Sequence, residues 1–180
     1  DVMKAVPDVA NEEDVADVIT QAVRIATENL DQMRTVEGEK LAEDLRARGE
    51  LIRGIVKKIE VRAPLVAEEY KEKLQKRIQD LLGDAAVVPE ERILTEAAIF
   101  ADKANITEEL VRLDSHMIQL KNILSGSEGP VGKKLDFLVQ EMNREANTIG
   151  SKANDMEITS LMLETKSEIE KIREQVQNIE

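Results

Sequence analysis

Apolar positions in residues 131–180 fall into two seams. In the later seam, Ile158, Met162, Thr165, Ile169, Ile172, Val176 and Ile179 are spaced 4, 3, 4, 3, 4 and 3 residues apart. That heptad rhythm turns one face of an α-helix toward a partner helix. Val131, Leu135, Leu138, Met142, position 145 and Ile149 repeat it. The pattern predicts two helices joined at Gly150–Asp155. One position breaks the rule: Glu145 is a carboxylate on a seam, with Glu141 one turn earlier, Arg144 beside it, and Lys134 and Lys152 near the same edge.

Upstream, Val15, Val18, Ile19, Ala22, Ile25, Ala26, Leu30 and Met33 form a continuous stripe. It resumes in phase beyond Gly38, at Leu41, Leu45, Ile52, Val56 and Ile59. Residues 1–10 read as a lead-in. Asn11 then caps a helix whose first turn carries Glu12, Glu13 and Asp14, favourable at the positive end of the helix dipole. Ala63-Pro64 predicts a break, since proline lacks the N–H and disfavours helix at the residue before it. Pro64 then opens a segment to about Leu82, closed by Gly83-Asp84. Two long segments meeting there predict an antiparallel hairpin. Residues 84–89 read as a linker, and Pro89-Glu90-Glu91 opens a short helix through about residue 102. Asn105-Ile106-Thr107-Glu108 resembles a capping box. The helix after it has apolar residues at Ile106, Leu110, Leu113, Met117, Leu120 and Leu124, in steps of 4, 3, 4, 3 and 4. Residues 125–130 form a loop. The expected fold is all-α: a long antiparallel helical hairpin arm over 1–85, then a C-terminal helical domain over 86–180 with heptad-like seams.

Composition agrees with long helices. The chain has 180 residues, 42% apolar and 34% charged, with 8 Gly and 4 Pro. Aromatics are 2%, and there is no tryptophan. The net charge of −12 argues against bulk attraction to nucleic acid, so any such contact must use local basic clusters. Few aromatics argue against a base-stacking platform. Without cysteine there is no disulfide or thiol chemistry. No apolar run approaches the roughly 20 residues of a membrane span, and no signal-peptide pattern appears. The chain begins Asp1-Val2 rather than with Met, as a fragment or a processed product would.

Several chemistries are excluded by motif. There is no phosphate-binding glycine loop, no serine–histidine–aspartate signature and no zinc spacing. Carboxylates and one histidine remain. Glu141 and Glu145, four residues apart, can point at one locus and hold a hard divalent cation such as Mg²⁺ or Mn²⁺. The same residues would equally form an ion-pair network with Arg144, Lys134 and Lys152. Glu109, Arg112, His116 and Gln119 share one flank of their helix. His116 is either a general base or a packing residue at the stripe's boundary. Arg46, Arg53 and Lys57 cluster opposite the first stripe, as a phosphate-binding face or a solvated one partnered by Glu50 and Glu60.

The run GKKLDFLVQEMNREANTIGSKANDMEI, with KSEIEKIREQVQNIE after it, resembles the C-terminal domain of the YicC-like family of bacterial endoribonucleases. RLDSHMIQL resembles that family's Arg-Leu-x-Ser-His-hydrophobic pattern, placing Arg112, Ser115 and His116 on family positions. The resemblance is specific over roughly 90–180, and extends upstream through the long helix near Gly38 and Ala63-Pro64. It implies a cytoplasmic, metal-assisted endoribonuclease acting on RNA, assembled as a homo-oligomer (a hexamer), with no membrane and no small-molecule cofactor. It also implies a further N-terminal domain in full-length members. Under this reading His116, Glu141 and Glu145 are the catalytic candidates. Glu109, Glu141 and Glu145 are the candidate ligands of a divalent metal, Mn²⁺ or Mg²⁺. Arg112, Lys133, Lys134, Arg144 and Lys152 engage RNA phosphates. The alternative is a non-catalytic RNA-binding adaptor that delivers RNA to another nuclease. A purely structural coiled coil is the third reading.

Overall fold

A computed structural model describes residues 12–83, 89–126 and 129–179, with only the backbone at Glu12. Five helices follow in order: α1 (Glu12–Leu82), α2 (Glu90–Lys103), α3 (Thr107–Gly126), α4 (Gly132–Lys152) and α5 (Met156–Val176). Among the described residues there is no strand, so the fold is all-α as expected. The lead-in at 1–10, the Asn11 cap, residues 84–88 of the linker and 127–128 of the loop lie outside the described residues.

The chain divides into two units, 1–41 and 42–180. In the first, the described residues are helical and Gly38 does not interrupt them. Its apolar stripe is exposed, including Val15, Val18, Ile19, Ile25, Leu30 and Met33.

The second unit holds the core. Leu45, Ile52, Ile55, Val56 and Ile59 of α1 are buried with Leu110, Leu113, Met117 and Leu120 of α3. The seams of α4 and α5 close over them, burying Leu135, Leu138, Met142 and Ile149 with Ile158, Met162, Ile169 and Ile172. Each such side chain contributes roughly 1.5–3 kcal/mol of transfer free energy. Short connections make α3 and α4, and α4 and α5, packing neighbours. Thr165 sits on the α5 seam without an orphaned hydroxyl, because Oγ1 donates to the Leu161 carbonyl at 2.9 Å.

The antiparallel hairpin is not formed, because α1 runs through Ala63-Pro64 without a turn. Proline removes one helical hydrogen bond and strains the preceding turn. Tertiary contacts on both sides offset that cost. Ile59, Ala63 and Val66 lie on one face against the core, while Pro64 itself is exposed. Arg62 adds a polar tie. It donates to Asp155 at 2.7 Å and forms an ion pair with Glu69, which lies beyond the proline. Asp155 also caps α5, accepting from the Ile158 N–H at 2.9 Å. Asn154, just before it, takes φ +45°, a left-handed conformation asparagine tolerates better than most residues.

Two further ties fix α1 to its neighbours. Arg48 donates to Glu168 of α5 at 2.8 Å. Tyr70 stacks face to face on Phe100 of α2, with ring centroids 3.7 Å apart. Among the described residues no helix is long and apolar enough to cross a membrane.

Candidate functional site

The site is assembled from α3 and α4. On α4, Glu141 and Glu145 are four residues apart and therefore project from adjacent turns of one face. Packing of α3 against α4 brings His116 to the same place. One ligand atom from each of His116, Glu141 and Glu145 lies within 4.8 Å of the others. Glu145 is 5% exposed, and the other two are half-buried. Only α3–α4 packing brings His116 to the carboxylates, so no spacing in the chain encodes the trio.

The electrostatics of this cluster are incompletely satisfied. Glu145 makes no hydrogen bond among the described residues, and its nearest cation is Arg112, 3.8 Å away. Arg112 is exposed and is held more closely by Glu108. Among the described residues Glu141 has only Arg144, at 3.9 Å. The Nδ1 atom of His116 is buried with no hydrogen-bond partner among the described residues. A buried carboxylate without close compensation is costly. A cation among these three groups would supply that compensation. Ligand atoms around one small divalent cation lie about 3–4 Å apart, from bonds of about 2.1 Å.

Glu109 is on the same flank of α3 but outside the trio. It is 5% exposed, and Oε1 accepts from the Lys152 ammonium at 2.7 Å. Burial pushes its carboxyl up, but bonds from Lys152 and the backbone, with the charges of Lys152 and Arg112, outweigh burial and hold it below the ordinary carboxylate range. Its other oxygen is buried without a partner. Lys152 is thus occupied by Glu109 and the Asn105 carbonyl, the latter at 3.5 Å. Lys133 and Lys134 are exposed in the first turn of α4. Arg144 is exposed one turn from Glu141.

The basic face of α1 also finds specific partners. Arg46 donates to the Leu124 carbonyl at 2.6 Å, near the end of α3. Arg53 donates to Asp114 at 2.7 Å, two residues before His116. Both arginines therefore anchor α3, and Lys57 stays exposed. Asn105 caps α3 by accepting from the Thr107 N–H at 3.0 Å. A separate open cleft of about 790 Å³ is lined by Phe100, Lys103, Ser151, Lys152, Met156 and Leu163, among others. None of the trio lines it.

The sequence matches the family described as Endoribonuclease YicC-like, C-terminal, over residues 59–180, which include the whole trio. It is 52% identical over 163 residues to a Clostridioides difficile protein named probable endoribonuclease YicC, covering 91% of this chain and 55% of that protein. It is 37% identical over 175 residues to the Haemophilus influenzae protein of the same name, covering 95% of this chain and 59% of that protein. The chain therefore spans between half and three-fifths of the length of these curated relatives.

Proposed function

The chain belongs to the YicC-like endoribonuclease family, and from that premise we propose that it cleaves RNA phosphodiester bonds at a divalent cation held by His116, Glu141 and Glu145. The observation that carries this reading is the trio itself. Three ligands suited to a metal, one imidazole and two carboxylates, converge within 4.8 Å, where the buried His116 Nδ1 has no hydrogen-bond partner among the described residues and buried Glu145 has only Arg112 at 3.8 Å. Mixed nitrogen and oxygen donors suit Mn²⁺ better than Mg²⁺, which favours oxygen alone. When bound, such a cation supplies Lewis-acid polarisation of the phosphodiester and neutralises charge developing on it.

The protein's own groups then divide the remaining work. Arg112 and Arg144 stand at the rim of Glu145 and Glu141. Both are exposed; Arg144 can turn toward phosphates once Glu141 has a cation, and Arg112 does so by exchanging its exposed contact with Glu108. Lys133 and Lys134 extend that cationic edge along α4. These contacts position the backbone of the RNA, locally offsetting a chain charge of −12. Lys152 holds Glu109 and thereby the packing of α4 on the start of α3. Self-association of the protein is supported by the exposed apolar stripe of the first unit.

Calorimetric titration of Mn²⁺ and cleavage of a structured, end-labelled RNA test the reading. The protein is expected to bind Mn²⁺, to cut RNA with it and to stop cutting in EDTA. Glu141→Gln and Glu145→Gln should each weaken metal binding and cleavage by at least about 10-fold. Unchanged cleavage in the triple variant His116→Ala, Glu141→Gln, Glu145→Gln would remove this site.

A further inference from the structure

Phe137 is 65% exposed on α4, one turn before Glu141. The chain has three aromatic residues, and the other two, Tyr70 and Phe100, are spent on each other in a face-to-face stack. An exposed phenylalanine is ordinary by itself. Its placement is what matters. At 100° per residue, Lys133, Phe137, Glu141 and Arg144 fall within an arc of about 80° on one face of α4. Phe137 and Glu141 are about 5–6 Å apart at Cβ, on the scale of a single nucleotide step. Lys133 and Lys134 precede the ring with no hydrogen bond or ion pair among the described residues, and Arg144 follows it.

We propose that Phe137 is a substrate-positioning residue that stacks on an unpaired RNA base beside the His116, Glu141 and Glu145 trio. The inference rests on the RNA reading of that trio and adds the feature of the RNA that is recognised. A phenyl ring accepts any base face, so the contact selects unpaired nucleotides rather than a sequence. Bases in a duplex are already stacked and do not offer that face. Cations on either side take the flanking phosphates, so that base and backbone are held together. An RNA strand fits this surface better than a second protein chain. A helix seated on Phe137 would cover the face that also carries Glu141, closing the approach to the carboxylates. The ring selects which nucleotides come to rest over the trio, and it takes no part in bond breaking.

Binding of a short, labelled, unstructured RNA, measured with Ca²⁺ in place of Mn²⁺ so that the carboxylates are compensated without cutting, tests the proposal. Phe137→Ala should weaken binding by about 5- to 100-fold, the span for loss of a base–aromatic stack. Phe137→Tyr should retain it, whereas Phe137→Leu, equally apolar but not aromatic, should not. The chain has no tryptophan, so added emission in Phe137→Trp reports on this position alone and should be quenched by the RNA. The side chain is exposed, and alanine is a good helix former, so Phe137→Ala should keep the parent's thermal unfolding. Parent-like affinity in Phe137→Leu overturns the stack. Unchanged affinity in Phe137→Ala together with a lower solution mass overturns it in favour of a contact between copies. A parent protein that binds no RNA defeats the RNA reading of the site itself, whereas RNA binding indifferent to Phe137 defeats only this inference.

Discussion

Replacing Lys152 by methionine isolates the role of the Glu109 pair. The change keeps the apolar stem and removes only the ammonium. At 2.7 Å the gross attraction is ~6 kcal/mol for an effective dielectric near 20. Most of that is offset by desolvation of the two groups. Removing one partner of a fully buried pair costs about 3–5 kcal/mol, because the other charge is left stranded. Here the Lys152 side chain is 40% exposed, while that of Glu109 is 7% exposed. The charge of Arg112 also continues to favour the carboxylate. The expected loss for Lys152→Met is therefore about 2 kcal/mol. Glu109→Met should cost less than about 1 kcal/mol, since the lysine left behind reaches water. The double variant should return close to the parent, since replacing both partners by apolar groups is often near neutral.

Urea unfolding at constant m measures this, and about 2 kcal/mol moves the midpoint by ~1 M for m near 2 kcal/mol/M. The pH dependence supplies an independent sign. In the parent, Glu109 has a lowered folded pKa. Its contribution is complete above the unfolded value of ~4.3 and is lost as pH falls through the folded one. Removing Lys152 takes away its lowering influence and lets burial push the carboxyl upward, relative to the unfolded value of ~4.3. Its penalty is then full at neutral pH and fades as pH falls toward that value. The gap between parent and Lys152→Met should narrow from pH 7 to pH 4. Equal losses in both single variants, or a loss under about 0.5 kcal/mol for Lys152→Met, would refute the reasoning. The double variant also separates fold from function: RNA affinity still reduced at restored stability assigns Lys152 a phosphate contact as well.

Arg62→Met should lower the urea midpoint, by removing charge-assisted bonds to Asp155 and Glu69. Hydrogen exchange of amides around 63–69 should quicken, and an unchanged pattern would mean that α1 passes Pro64 without that tie. Arg62 holds Asp155 below the usual carboxylate range and Glu69 down at about 2. Their stabilisation is complete above roughly pH 4.3 and is lost as pH falls through the folded values, so Arg62→Met should flatten acid unfolding between about pH 4 and 2. Leu113→Ala, at a fully buried position shared by the packed helices, should cost about 3 kcal/mol in urea unfolding. Ile19→Lys with Leu30→Lys alters only exposed side chains, so thermal unfolding of unassembled protein should move little. The solution mass by light scattering should fall, and an unchanged mass would exclude the stripe as the self-association surface.

The seams of α4 and α5 were legible because a heptad period is a property of the chain itself. Every apolar position read from 135 to 176 is buried where the period puts it. Pro64 was misleading for the opposite reason. Its local preference for a break is real, but burial of Ile59 and Val66 and the reach of Arg62 to Asp155 are tertiary facts. Arg46 and Arg53 were ambiguous on the same ground, since their acceptors lie 78 and 61 residues away in sequence. The site is the most instructive case. Sequence spacing puts Glu145 on a seam and Glu109 on the flank of a stripe, yet both are 5% exposed. What separates them is the cation each has found. Glu109 has the Lys152 ammonium at 2.7 Å, whereas Glu145 has only an exposed arginine at 3.8 Å, shared with Glu108. A buried carboxylate that the chain has already neutralised has little affinity left for a metal. Glu145, beside Glu141 and a His116 nitrogen with no partner among the described residues, is the carboxylate that a cation at the proposed site would compensate. The difference between an internal ion pair and a candidate metal ligand therefore lies in distances between helices, which no spacing along one helix encodes.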